Sequence, residues 1–313
     1  MLFGKKARSH YLLGIDIRSH GITLISLSFI RGQFQLERLI HAPLPAGAII
    51  EQSLHNSELV ASALIELRTK IGLQNPTVAT AIPGATTISK RFVIAPHKNW
   101  LEQEKAIWLQ VSQQFPELIS DIYLDYVKLL QVDQANVQYL VVACRKEVID
   151  MRMTVFKIAG FTPLVVDIDY YALARVGAWL AKRKQQNNEV VACLHVDTNR
   201  VLMAVIRNEQ VLFVGEEVVN NTDGEILLAR IRQLLQLYQL EKKAEPKYWY
   251  LSGELAYEMK FYNLLQQQLT ASLSIANPFT EMQVAASINQ DWIKTEGAAY
   301  VISCGLAMRK AEL

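Results

Sequence analysis

Two stretches of the chain share one pattern of hydrophobic and polar positions. Residues 11–36 and 190–214 each begin with an apolar run that ends in an aspartate, Asp16 in the first and Asp197 in the second. In both, a short polar break, a second strand pattern and a turn into a third strand follow. The repetition predicts two related lobes, each of which opens with three strands.

The aspartate at each turn indicates what the two lobes do together. Backbone N–H groups at such a turn point toward an anion, and the carboxylate can hold a hydrated divalent cation. A single hairpin turn with an aspartate is common, but here the arrangement occurs twice. Two lobes that face each other across a cleft are the plan of the actin-like ATPase fold, so we expect an α/β protein with duplicated RNase H-like lobes.

A small module is predicted inside the first lobe. The predicted elements are, in chain order, a strand at 87–94, a helix at 100–114, strands at 122–130 and 137–144, and a helix at 147–159 that Gly160 ends. This βαββα order is typical of a small α+β sheet with helices on one face. We therefore assign 86–160 to an inserted α+β subdomain, 1–85 plus 161–188 to the lobe 1 core, and 189–313 to lobe 2.

Composition and charge narrow the class of protein. The 313 residues are 51% hydrophobic and 20% charged, which is enough apolar material for a large core and excludes disorder as the main state. A net charge of +2 argues against a nucleic-acid partner. No stretch approaches 18 uninterrupted apolar residues. The basic residues at 5–8 are interpreted as a solvated start of the first strand, with contact to anionic lipid as the alternative.

The sequence offers no catalytic or metal-binding motif. Cys144, Cys193 and Cys304 are too few and too scattered for disulfides or a zinc cluster, which fits a reducing cytoplasm. No Ser/His/Asp order, metal-spaced His/Cys cluster or G-x-x-x-x-G-K-[ST] motif is present. His195 is interpreted as a strand histidine with a satisfied hydrogen bond. We expect no catalytic residues and no metal ligands.

Four segments, taken in order, resemble one known family. They are LGIDIRSHGITLISL (13–27), VSQQFPELISDIYLDYVKL (111–129), VVACRKEVIDMRMTVFKIAGFTPLVVDIDYYALARV (141–176) and SCGLAMRK (303–310). Together they resemble the PilM family, actin-like cytoplasmic proteins of type IV pilus assembly and of related competence and secretion machines. The similarity covers nearly the whole chain and is strongest over 86–180.

The resemblance implies a location and a partner. Such a protein lies in the cytoplasm at the inner face of the inner membrane and belongs to an alignment complex there. Its partner is the short cytoplasmic N-terminal segment of PilN, bound in a groove between the lobe 1 core and the inserted module. Arg91, Trp108 and Tyr126 are the candidate groove residues. Direct contact with the pilus motor ATPases, and the choice between a pilus, competence or secretion role, stay open.

The resemblance also implies a nucleotide cleft. Its candidate residues are Asp16, Arg18 and Ser19 of the first turn, Asp197, Thr198 and Asn199 of the second, and Gly253 of the turn on the adenosine side.

The sequence departs from the family pattern at that cleft. Arg18 replaces a glycine of the first turn, Thr198–Arg200 carry no glycine, and Ser252–Glu254 keep only Gly253. Glycine matters at such turns because the backbone must approach phosphate closely. In addition, only one helix and a linker separate Asp223 from Ser252, where family members insert a nucleotide-covering subdomain. We therefore expect no ATP/Mg binding or only weak binding, without hydrolysis.

Two functions remain. The favoured hypothesis is a non-catalytic adaptor that binds PilN. The alternative is an ATP-binding actin-like switch or kinase-like enzyme that uses Asp16 and Asp197 with Mg. In the adaptor, Arg18 and Arg200 are expected to pair with the nearby aspartates, whereas a phosphate clamp is their alternative role. A relative of FtsA is disfavoured because its membrane role needs an amphipathic C-terminal tail and this chain stops at Leu313.

Overall fold

A computed structural model describes residues 12–19, 21–50, 52–116, 119–131, 135–240 and 244–309. The basic residues at 5–8, the first half of the predicted turn at 133–136 and the start of the linker at 241–247 lie outside the described residues. The chain divides into two compact units, one formed by Met1–Gly84 with Val155–Leu313 and the other by Ala85–Thr154.

Helices separate runs of one to five strands along the described residues. The strands are β1 (Leu13–Arg18), β2 (Gly21–Ile30), β3 (Gln33–Pro43), β4 (Ile49–Ile50), β5 (Ser53–Leu54), β6 (Thr77–Ile82), β7 (Thr87–Ile94), β8 (Ile122–Gln131), β9 (Val137–Arg145), β10 (Thr162–Ile168), β11 (Val191–Val196), β12 (Arg200–Arg207), β13 (Gln210–Val218), β14 (Tyr248–Ser252), β15 (Ser272–Ile275) and β16 (Gln283–Val284). The helices are α1 (Ser57–Ile71), α2 (Trp100–Gln114), α3 (Lys146–Ile158), α4 (Asp169–Arg183), α5 (Gly224–Leu240), α6 (Met259–Gln268), α7 (Gln290–Glu296) and α8 (Val301–Ala307).

The larger unit contains two sheets with the same strand order. The first sheet runs β3-β2-β1-β6-β10 and the second β13-β12-β11-β14-β15, while β16 extends the first at β3. In each sheet three antiparallel strands are followed by two parallel ones: β6 pairs in parallel with β1 and β10 with β6, just as β14 pairs with β11 and β15 with β14. The repeated pattern in the sequence therefore does correspond to a structural duplication.

Helices α4 and α8 share the hydrophobic core that joins the two sheets. That core includes buried residues of both sheets, such as Ile25 and Cys193, together with Ala172 of α4 and Cys304 of α8. Glycine permits the close approach, because a Cβ at Gly14 of β1 would overlap the backbone of α8. Both α8 and β16 thus return to the first sheet, which the predicted assignment of 189–313 to a second lobe does not anticipate.

The smaller unit, 85–154, is built on the three-stranded sheet β7-β9-β8. Its core consists of alternating strand residues such as Phe92 and Tyr139, and of Ile107 and Val111 from α2. Asn99 caps α2 by accepting a hydrogen bond from the N–H of Leu101 at 3.0 Å. Its elements follow the βαββα order expected from the sequence.

None of the helices in the described part of the chain has the length and apolar character that spanning a lipid bilayer requires. Cys144, Cys193 and Cys304 are buried free thiols. Burial raises the pKa of the Cys193 thiol to about 12.

Candidate functional site

The ends of β1 and β11 bring the residues of the two predicted turns to one cleft in the larger unit. Arg18 is the last residue of β1 and Ser19 follows it, while Asp197, Thr198 and Asn199 connect β11 to β12. Across the cleft, the side-chain amide of Asn199 donates to Oγ of Ser19 at 3.4 Å. The duplication thus places two equivalent turns opposite each other.

Arg18 spans this cleft. Its Nε donates to Oδ2 of Asp16 at 2.6 Å, and its Nη1 lies 3.3 and 3.4 Å from the two carboxylate oxygens of Asp197. Its Nη2 donates to the backbone carbonyl of Ala299 at 2.9 Å. The three guanidinium nitrogens are therefore all engaged with acceptors of the protein itself.

Asp197 is the most heavily shared acceptor in the cleft. Besides Arg18, it receives the backbone N–H of Glu254 at 3.2 Å and lies 3.2 Å from Nε2 of His195. The side chain is 1% exposed. Burial alone would raise the pKa of this carboxyl, but the charge of Arg18, aided by His195 and Arg200, outweighs burial and holds the pKa well below its usual range.

Arg200 lies in the second sheet and its side chain reaches residues of the first lobe. Its Nη1 donates to Oδ2 of Asp169 at 2.5 Å and to the side-chain carbonyl of Gln52 at 3.2 Å. Its Nε is 3.7 Å from Asp197. Burial would lower the pKa of this guanidinium, but the negative charge of Asp169, with that of Asp197, raises it above its usual value.

Asp169 is held for this role by the start of α4. Its other carboxylate oxygen accepts the backbone N–H groups of Gly84 and Tyr170, at 3.0 and 2.8 Å. The carboxylate is therefore fixed in place from within the first sheet and its helix.

The third predicted turn lies beside Asp197, and the N–H groups of its Gly253 and of Thr198 in the second turn both donate within the protein. Gly253 has a φ of +97°, and a Cβ there would overlap the backbone of Val196. Its N–H donates to the carbonyl of Ala298 at 3.0 Å. Thr198 donates its backbone N–H and its hydroxyl to Oε2 of Glu254, at 3.4 and 3.3 Å.

The structure also brings a serine, a histidine and an aspartate together, which the sequence order did not indicate. Nδ1 of His195 is 3.0 Å from Oγ of Ser252, and that hydroxyl donates to the carbonyl of Leu194 at 2.9 Å. Ser252 and His195 have no exposed surface. A hydroxyl so enclosed cannot meet a substrate, so this trio is part of the buried hydrogen-bond network.

Little space is left between these groups. The cavity at the centre of the cleft has a volume of about 20 Å³ and is lined by both arginines, their aspartate partners and Gln52. That is room for about one water molecule.

Sequence reasoning missed Asp169, Gln52 and Glu216, whose carboxylate lies 3.8 Å from Arg200. Of these, Asp169 carried a signal: it follows β10 directly, and the carboxyl ends of parallel strands are where sites form in α/β sheets.

The three predicted peptide-groove residues lie in the smaller unit but do not share one surface. Trp108 and Tyr126 pack against its core, and the ring of Tyr126 meets that of Tyr139 edge-to-face at 6.0 Å between centroids. Arg91 alternates with the core residue Phe92 along β7 and is exposed on the opposite face of the sheet.

Trp108 also borders an open groove on the outer flank of α2. The groove has a volume of about 490 Å³ and includes the exposed side chains of Leu101 and Leu109 as well as Lys105. Trp108 therefore borders an exposed apolar surface.

The duplicated sheets, with paired aspartate turns across a cleft, place the chain in the class of actin-like ATPase folds. A solved structure from Bacteroides thetaiotaomicron, described as a protein with an actin-like ATPase fold and unknown function, is similar over 99% of this chain and 100% of that chain. The TM-score is 0.52 and the sequence identity is 12%.

A sequence model of the family described as "Type IV pilus assembly protein PilM" matches residues 14–223 and 224–311. The chain therefore belongs to the PilM family of type IV pilus assembly proteins. A solved structure described as a PilM-PilN type IV pilus biogenesis complex has the same fold: the TM-score is 0.82 at 20% identity, covering 97% of this chain and 100% of that chain. The family and fold expected from the sequence are confirmed.

Proposed function

We propose that the chain is a non-catalytic adaptor of the type IV pilus assembly machine, located in the cytoplasm at the inner face of the inner membrane. It binds the cytoplasmic N-terminal segment of a PilN-type inner-membrane protein. The observation that carries this proposal is family membership across the chain, supported by a fold shared with a chain from a PilM-PilN complex. A peptide bound in a groove gains affinity from apolar anchors and main-chain hydrogen bonds, without catalysis.

The direct test is a binding titration. A fluorescently labelled peptide with the N-terminal cytoplasmic sequence of the PilN-type protein is titrated with the full chain, and saturable binding is expected. A peptide with the same residues in scrambled order serves as the control. Absence of binding at concentrations up to about 1 mM contradicts the partner assignment.

Arg91 lies on the opposite face of the sheet from Trp108 and Tyr126, so variants at these positions can show which face binds the peptide. Trp108→Ala is expected to weaken binding at least tenfold, because truncating a tryptophan anchor typically removes about 2 kcal/mol or more. Tyr126→Phe keeps the ring contact with Tyr139 and is expected to change affinity less. If Arg91→Ala is the damaging variant instead, the peptide lies on the other face. Arg207→Ala removes an exposed arginine outside the smaller unit and is the matched control.

We further propose that the cleft does not hydrolyse ATP and holds nucleotide weakly or not at all. The residues present do not suit a nucleotide: arginine side chains fill the space between the turns, and the N–H groups of Gly253 and Thr198 donate to the protein itself. In calorimetry with Mg-ATP we expect no micromolar binding. Micromolar binding that Asp16→Ala abolishes would instead favour the switch or kinase-like alternative.

A further inference from the structure

The two arginines of the cleft make reciprocal connections. Arg18 leaves the first sheet and reaches Asp197 at the end of β11, while Arg200 leaves the second sheet and reaches Asp169 at the start of α4. The geometry points to an internal latch, formed by these two arginines and two aspartates, that holds the two lobes closed without a ligand. This inference rests on the proposal that the cleft works without nucleotide and assigns a positive role to the residues that fill it.

Because its charged groups are buried, the latch favours one particular arrangement of the two lobes. The side chains of Asp197, Asp169 and Arg200 are 1%, 4% and 7% exposed, and that of Arg18 is 13% exposed. A buried ion pair contributes little net stability compared with well-packed apolar groups, but removal of one partner leaves an uncompensated charge and is strongly unfavourable. The pairs therefore favour the one lobe arrangement in which all partners meet, because separation of the lobes would break them together.

Arg18 is the central element of the latch. It contacts Asp16 of its own sheet and both Asp197 and the Ala299 carbonyl beyond it, so one guanidinium joins three acceptors from separate parts of the fold. The planar fork of arginine suits such multiple contacts, whereas the point charge of lysine cannot meet all three at once. Arg18→Lys should thus keep the charge and lose part of the closure.

Closure can be measured by a disulfide across the cleft. Ser19 and Asn199 lie on opposite sides, with side-chain polar atoms 3.4 Å apart. Cysteines at these two positions, Ser19→Cys and Asn199→Cys in one chain, are expected to form a disulfide faster when the lobes are closed than when they separate. The three native thiols are buried and free, so they compete little.

The expected results separate the latch from a general loss of structure. Without nucleotide and with oxidised glutathione as the oxidant, the double-cysteine chain should oxidise rapidly. Adding Arg18→Ala should slow oxidation about tenfold, which corresponds to 1.4 kcal/mol in the closing equilibrium, and Arg18→Lys should fall between. Arg183→Ala, which removes a partly exposed arginine paired with Glu281 outside the cleft, is the control and should leave the rate unchanged.

Two outcomes overturn the latch. One is oxidation at the unchanged rate in both Arg18 variants, with folding verified by circular dichroism. The other is slow oxidation with Arg18 present that becomes fast only when Mg-ATP is added. If Arg18→Ala fails to fold, the Arg18→Lys rate decides the question. A failure of the latch can be told apart from a failure of the proposed adaptor function, because peptide binding is measured separately and does not depend on the oxidation rate.

Discussion

The turn after β1 and the turn after β11 share one sequence pattern, but their arginines contact different partners. In the first, the arginine lies two residues after the aspartate and binds that aspartate as well as the opposite one. In the second, it lies three residues after the aspartate, opens β12 and binds Asp169 of the other lobe most closely. The two equivalent turns therefore differ: the first sends its arginine to the aspartate of its copy, whereas the second sends its arginine to the start of α4.

The largest loss of stability is expected for a substitution of Asp197, which residues of both turns contact. Asp197→Asn removes the charge that faces Arg18 and Arg200, and it places an amide near the backbone N–H of Glu254. Breaking a buried ion network in this way typically lowers the free energy of unfolding by about 3–5 kcal/mol. Urea unfolding followed by tryptophan fluorescence measures it.

Asp16→Asn is the matched comparison for the first turn. Asp16 pairs with Arg18, which still has Asp197 as a partner in this variant, so the loss should be smaller, about 1–3 kcal/mol. Equal losses in the two variants would show that the turns contribute alike and would contradict the asymmetry described above.

A second contrast separates two glycines with positive φ. Gly253 (φ +97°) lies against the backbone of Val196, whereas Gly32 (φ +83°) in the β2–β3 turn has open space where a Cβ would lie. Gly253→Ala combines a strained backbone with a steric overlap and should destabilise by about 2–4 kcal/mol. Gly32→Ala has only the cost of a positive φ at a residue with a Cβ, which is about 1 kcal/mol.

Thermal unfolding of the two alanine variants measures this difference. If they lose stability equally, then the region around Val196 adjusts to a side chain, and the turn on this side of the cleft is less rigid than the contacts of Gly253 indicate.

The comparison of the turns also shows what the sequence could predict. The repeated strand pattern is local and periodic, so it predicted the duplicated sheets, and charge alone predicted that Arg18 and Arg200 pair with aspartates. Asp169 and Gln52 could not be found in this way, because they reach Arg200 only through the folding of distant segments. The return of α8 to β1 depends on small residues such as Gly14, a long-range contact with no periodic signal. The position of Arg91 opposite Trp108 follows from strand alternation, which fixes the face of each residue but not which faces bind a peptide.

The smallest expected effect is the pH dependence that Asp197 gives to the free energy of unfolding. Because the pKa of this carboxyl is lowered in the folded chain by Arg18, the unfolded chain takes up its proton first as the pH falls. The stability that Asp197 contributes is fully present above the unfolded pKa of about 3.9 and is lost as the pH falls from there toward the folded pKa.

Urea unfolding from pH 7 down to pH 3 tests this sign. Every carboxylate contributes to the acid limb, so the informative quantity is the difference between the chain with Asp197 and Asp197→Asn, which cannot titrate at that position. The free energy of unfolding should fall more steeply with acid in the chain that keeps Asp197, and the two curves should converge toward low pH. Parallel curves would mean that Arg18 does not hold the proton off Asp197, and the closed cleft would then owe its stability to packing around α4 and α8 rather than to charge.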